Sequence, residues 1–327
     1  MPKLRAPRPR RPSRSSTGAA RGPARIIVLG DLLIDVVVAP VRTLERGTDV
    51  PGRVSLVQGG SAANTARWLA RLGAKSYLIG AVGRDAVGRA LVDAVRADGV
   101  QARLIRVAGA RTGRVGVVVS QDGERSFVAD RGAAIQLKPE DVRPQWFGRA
   151  DALHLPMYSF MGDPLRLAAH RAVDLARERG AVVSVDLASI GPLLSNGRRA
   201  AVALVEQIAP DLLFATAAEA QALLDRYAVD GLLDLAPTVV VKRGPQGATV
   251  LARDGERRLQ FEVATEHRTA ADTTGAGDAF DAGFLVAWFA ARRAGRALPS
   301  ALQRSAIAGH RAAARQLSTP RPELPLA

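Results

Sequence analysis

Chemistry is first suggested by DTTGAGDAFDAGF (272–284), where a glycine-rich turn opens directly into an apolar-periodic helix. Gly275 and Gly277 let backbone amides converge without Cβ obstruction, and the helix start adds partial positive charge, so the turn suits an anion such as phosphate. Asp278 stands against that field. A carboxylate just inside an anion-binding turn either caps free helix amides or serves a purpose beyond folding. Asp281, three residues on, reads as a further helix-start acid.

A second segment, GGSAANTARWLARLG (59–73), pairs Gly59 and Gly60 with small residues, an Asn and an amphipathic helix. Paired glycines allow close approach of backbone to a ligand, and Asn64 offers both donor and acceptor to a hydroxyl-rich molecule. The alternative is a loop-to-helix junction packed on a sheet.

Both segments need a frame. The β-branched run IIVLGDLLIDVVVA (26–39), broken by Gly30, Asp31 and Asp35, reads as a buried strand and its continuation. Apolar runs at 76–81, 151–155, 181–186, 211–215 and 237–242 alternate with amphipathic stretches at 61–72, 86–98, 164–179, 199–208 and 217–226. That alternation predicts an α/β fold, a mostly parallel central sheet with helices on both faces. Residues 36–58 and 101–132 break the rhythm, with an Asp122-Gly123 turn that reads as a hairpin. They are expected to form a small antiparallel β lid over the ligand crevice. Two Ala-rich helices, 275–294 and 299–316, close the pattern.

Composition bounds the rest. Hydrophobic residues at 47% and charged ones at 24% exclude wholesale disorder, and the absence of cysteine excludes disulfide scaffolds, thiolate metal sites and cysteine nucleophiles. No apolar run approaches the roughly 20 residues a membrane helix needs, so a cytoplasmic address with no membrane partner is expected. The net charge of +15 is concentrated: Lys3, Arg5, Arg8, Arg10, Arg11, Arg14, Arg21 and Arg25 precede the first strand with no acid among them. Residues 1–24 therefore read as a disordered basic tail, and nucleic acid is not an expected partner of the body. The remaining divisions are a domain over 25–318 and a C-terminal extension over 319–327.

In this order and separation, the GGSAAN and DTTGAGD segments resemble the two signatures of the ribokinase-like, or PfkB, family of carbohydrate kinases, across residues 26 to about 318. The resemblance implies ATP-dependent phosphorylation of a primary hydroxyl of a small sugar, with Asp278 as general base and the amides of Gly275, Ala276 and Gly277 as anion hole. It implies Asp35, Gly59, Gly60 and Asn64 as substrate contacts. VVVKRGPQGATV (239–250) is similar to the family's strand and turn beneath ATP, implicating Lys242, Gly244 and Gly247. Glu219 matches the acid that organises Mg2+ through water, though Thr216 stands where the family has Asn. Asp272 matches a position beside a monovalent cation such as K+, while the ending AARQLSTPRP departs from the family and weighs against potassium dependence. A homodimer through the lid is also implied.

Two alternatives stay open. A nucleoside kinase of adenosine or pseudouridine type would share these motifs and add an apolar slot, for which Tyr158, Phe127 and Phe160 are candidates. A non-catalytic sugar-sensing protein would keep the fold without the chemistry. Tyr158 stands where ribokinases carry a sugar-holding glutamate, and it either stacks on a ligand or packs on the sheet. His154 on the same strand reads as a core residue.

Overall fold

The computed structural model describes residues 22–122, 125–224, 229–266, 272–319 and 321–325. The first half contains β1 (Arg25–Leu29), β2 (Leu33–Pro40), β3 (Gly52–Gly59), α1 (Ser61–Arg71), β4 (Lys75–Gly83), α2 (Ala86–Ala97), β5 (Gln101–Val107), β6 (Thr112–Val119) and β7 (Arg125–Gly132). There follow β8 (Ala152–Pro156), α3 (Leu165–Glu178), β9 (Val182–Asp186), α4 (Ile190–Leu193), α5 (Arg198–Ile208), β10 (Leu212–Thr216), α6 (Ala217–Leu224) and α7 (Val229–Leu235). The chain ends with β11 (Thr238–Lys242), β12 (Ala248–Asp254), β13 (Arg257–Val263), α8 (Ala276–Arg293) and α9 (Leu298–Ser318).

Nine strands form one sheet in the order β13-β12-β11-β10-β9-β8-β1-β4-β5. All neighbours from β11 to β5 are parallel, and β12 and β13 are antiparallel additions at one edge. Burial on both faces explains the continuous apolar runs. In β1, Ile26 and Val28 join the core beneath α1, α2, α8 and α9, represented by Leu69, Leu91, Phe284 and Leu302. Ile27 and Leu29 point the other way, toward Val173, Val205, Leu223 and Leu232 of α3, α5, α6 and α7. Each such large buried side chain contributes about 1.5–3 kcal/mol. Among the described residues, no helix is long and apolar enough to cross a membrane.

The lid is a four-stranded sheet, β3-β2-β6-β7. It differs from expectation in two ways. Residues 101–107, expected in the lid, form β5 at the edge of the large sheet, because α2 supplies the crossover that lets β5 lie parallel to β4. The lid is also not wholly antiparallel: β2 and β6 pair in parallel, joining two antiparallel pairs. Each follows a strand of the parallel sheet, β1 or β5, past its carboxyl edge, so the two run the same way. The hairpin register of β6 and β7 is present, while Gly123 of the expected turn lies outside the described residues.

The expected tail spans residues 1–24, and its last residues touch the body. Residues 1–21 lie outside the described residues, but the Gly22 carbonyl accepts from Arg293, and Ala24 is buried with its carbonyl accepting the Lys75 amide. Beyond α9, residues 321–325 return across the lid, where Glu323 bridges antiparallel to Val57 and the Leu324 amide donates to the Leu56 carbonyl at 2.7 Å.

Candidate active site

The carboxyl ends of β1, β8, β9, β10 and β11, consecutive in the large sheet, bring Asp31, Tyr158, Asp186, Thr216 and Lys242 to one rim. This is where ligands bind in open parallel sheets. The amino-terminal ends of α1 and α8 meet above it, and Gly275 in the left-handed region (φ 79°) sets the entry to α8.

Asp278, in the first turn of α8, is held from the first turn of α1. Its Oδ1 accepts from Ser61 Oγ at 2.6 Å and its Oδ2 from Asn64 Nδ2 at 2.9 Å. Burial pushes its carboxyl up to about 7, against the pull of these two hydrogen bonds. A proton acceptor near neutrality suits general-base work. Asn64, expected as a substrate contact, thus spends an amide hydrogen on Asp278. Ala276 spends its amide on the Thr273 carbonyl at 3.2 Å, so that donor is directed into the turn itself.

Beneath the turn lies a charge cluster that the sequence reading missed. Lys242 Nζ stands 3.1 Å from Asp186 Oδ1 and 3.1 Å from Asp281 Oδ1. Asp281 is therefore not a helix-start acid facing solvent but a wholly buried ion-pair partner. Burial lowers the Lys242 pKa, but Asp186, Asp281 and Glu219 outweigh it and drive the pKa upward. A Cβ on Gly277 would lie only 3.4 Å from Nζ, which sets this ammonium directly under the Gly275–Gly277 turn.

Glu219 and Thr216 bond reciprocally: the Thr216 amide donates to Glu219 Oε2 at 2.8 Å, and the Glu219 amide donates to Thr216 Oγ1 at 3.2 Å. This is a capping box at the start of α6. The Thr-x-x-Glu signature was legible in the sequence, where Glu219 reads instead as the acid that organises Mg2+ through water and Thr216 as a departure from the family's Asn. Burial, with the charge of Asp186 next, raises the Glu219 carboxyl.

A cavity of about 750 Å³ opens beside this cluster, lined by Thr216, Lys242, Gly244, Gly247, Ala276, Gly277, Phe280 and His310 among others. Lys242, Gly244 and Gly247, expected near a nucleotide, thus line the same cavity as Ala276 and Gly277.

On the lid side, Asp35 packs on the Gly59 backbone so closely that any Cβ there would overlap its carboxylate, and a Cβ on Gly60 would overlap the Asp31 carbonyl. Both glycines are thus required by protein contacts alone. Asp35 is ion-paired with Arg321, whose Nε also reaches Asp272 Oδ2 at 3.2 Å. The other Asp272 oxygen lies 3.1 Å from Arg125. The carboxylate expected beside a monovalent cation therefore faces two guanidinium groups. Arg131 donates to Asp31 at 2.8 Å and lies 4.1 Å above the Tyr158 ring. Of the three aromatics that are candidates for a base slot, Tyr158 lies beneath Arg131, Phe160 is buried edge-on to His170, and Phe127 is exposed on the lid. His154 is a core residue as expected, with Nδ1 2.8 Å from Ser184 Oγ and a pKa lowered by burial to about 4.

The family model described as pfkB family carbohydrate kinase matches residues 23–324. Fructokinase-1 of Oryza sativa subsp. japonica is 32% identical over 269 residues, which cover 78% of this chain and 80% of the relative. The adenosine kinase structure from Sinorhizobium meliloti superposes with a TM-score of 0.77 at 24% identity, covering 94% of this chain and 98% of the other. The Vibrio cholerae O395 fructokinase, in its fructose, ADP and calcium ion bound form, gives 0.71 at 22% identity, covering 91% and 95%.

Proposed function

The chain belongs to the pfkB family of carbohydrate kinases, and from that premise we propose that it transfers the γ-phosphoryl group of ATP to a primary hydroxyl of a small sugar, a fructose-like hexose first among the candidates. The observation that carries this reading is the Asp278 carboxyl at the start of α8, with both oxygens held by Ser61 and Asn64 and its pKa pushed up to about 7 by burial. In the reaction the acceptor oxygen forms a bond to the γ-phosphorus as the bond to the β,γ-bridging oxygen breaks. The electron pair leaves with ADP, and the hydroxyl proton passes to Asp278.

Positioning and charge neutralisation supply most of the rate in such transfers. Asp35 and Asn64 would orient the acceptor over the Gly59-Gly60 turn. The cavity wall of Lys242, Gly244 and Gly247 would receive the nucleotide, and the amides of Gly275 and Gly277 would meet the charge on the moving phosphoryl group. Lys242, fixed beneath that turn, adds a positive charge that costs no reorganisation. Among the described residues no group of three or more His, Asp or Glu is arranged to hold a metal by itself. That fits Mg2+, which keeps several waters and takes most of its other ligands from phosphate oxygens. Glu219 would hold it through water, and it would neutralise charge between the phosphates. No monovalent cation is needed in this reading. Exposed apolar side chains on the lid, Val54, Phe127 and Val128, are consistent with pairing of two copies through that sheet.

The test is ATP consumption with ribose, fructose, 2-keto-3-deoxygluconate, adenosine and pseudouridine, with the phosphorylated product identified. Turnover with a sugar hydroxyl is expected. Turnover confined to nucleosides would make this a nucleoside kinase on the same fold, and no turnover above background with any acceptor would refute catalysis.

A further inference from the structure

Residues 321–325 lie far in sequence from the two signature segments, yet one of them, Arg321, is built into the acceptor side of the site. The outer part of this strap is held by surface contacts: Glu323 accepts from Arg53 at 2.9 Å and from Ser55 at 3.0 Å, all exposed. Exposed pairs of this kind add little, because water screens them. The inner part differs. Leu324 is buried in the apolar cluster that contains Ile34, and the Arg321 side chain, only 9% exposed, passes under the lid between two carboxylates. One belongs to Asp35 on β2 and the other to Asp272, in the loop that leads into the phosphate-binding turn.

We propose that Arg321 is a positioning residue of the acceptor site, one guanidinium that fixes Asp35 for the acceptor hydroxyls and ties the lid strand to the loop before Gly275. The proposal rests on the reading of Asp35 as an acceptor ligand. Three physical facts support it. A buried carboxylate with no partner is strongly unfavourable, so Asp35 needs a counter-charge to stay in place and ionised. Burial raises its pKa, and Arg321 is the chief opposing influence, while Asp31 and Asp272 push the same way as burial. Finally, a guanidinium has the planar fork that can serve two carboxylates at once, which an ammonium on a flexible stem does not.

The experiment compares steady-state kinetics of the full chain with Arg321→Gln, Arg321→Lys and Glu323→Ala, using the best acceptor of the wild type. Arg321→Gln is expected to raise the acceptor KM by about tenfold or more, the scale of one charge-assisted hydrogen bond, with the ATP KM changed by less than about twofold. Arg321→Lys should fall between, since it keeps the charge but reaches one carboxylate. Glu323→Ala should resemble the wild type. An acceptor KM within about twofold of wild type in Arg321→Gln overturns the proposal, as does an equal rise in both KM values, which would mark a general loss of structure. If Arg321→Gln does not fold, Arg321→Lys carries the same comparison, and an unchanged acceptor KM there is equally fatal. A wild type that phosphorylates no acceptor defeats the proposed function, and this inference with it. An active wild type with indifferent Arg321 variants defeats this inference alone.

Discussion

Asn64 Nδ2 donates to Asp278 Oδ2 across 2.9 Å, joining residues that are 214 positions apart in the chain. The two signature segments are therefore one device: the first turn of α1 holds the carboxylate that stands in the first turn of α8.

Asp278→Asn should lower turnover by roughly 10²–10⁴-fold, the range for loss of a general base, while the protein stays folded because Asn tolerates a helix start as Asp does. Stability should respond with a definite sign. The folded-state pKa is raised from 3.8 to about 7, so protonated Asp278 favours the folded state at low pH, and that contribution is lost as pH rises through about 7. Denaturant titrations at several pH values should show this decline in the wild type and its absence in Asp278→Asn.

Asn64→Ala removes a hydrogen bond that stabilises the ionised base, so the base should become harder to ionise. The acid limb of kcat/KM against pH, expected near 7 in the wild type, should move upward by about one unit. A limb that stays in place would mean that Asn64 does not act on Asp278.

Lys242→Met strands Asp186 and Asp281 in the interior, and breaking a buried pair from one side costs about 3–5 kcal/mol. Unfolding in urea should reveal a loss of this size. A double variant that also carries Asp281→Leu should recover part of it, because one of the two stranded charges is gone.

Thr216→Ala should cost about 1 kcal/mol by removing the cap of α6, and Thr216→Asn should keep stability within a few tenths of a kcal/mol. Equal unfolding midpoints for the two variants would show that Thr216 does not cap the helix.

The frame was legible wherever chemistry is local. Runs such as PTVVVK and DLLFA announce buried parallel strands by composition alone, and the glycine turn before Asp278 announces a helix start. The alternating QARLIRV segment was misassigned because alternation reports one half-covered face and is silent about which sheet provides the partner. Thr216 and Glu219 were read through metal chemistry, and the reciprocal cap competes for the same atoms. The ion pairs of Asp281 and Arg321 could not be read. Their partners, Lys242 and Asp35, lie 39 and 286 residues away, and no local pattern encodes such a meeting.

The path of the C-terminal strap has a consequence for synthesis. Arg321 leaves the ribosome after both carboxylates it bridges, and Leu324 after the lid strand it covers. Since chains begin folding from the amino-terminal side as they emerge, the large sheet can assemble around β1 while Asp35 still lacks its counter-charge. The nascent kinase would then be a folded body with an unfinished acceptor side, and competence would arrive late, once Arg321 and Leu324 have been laid over the lid.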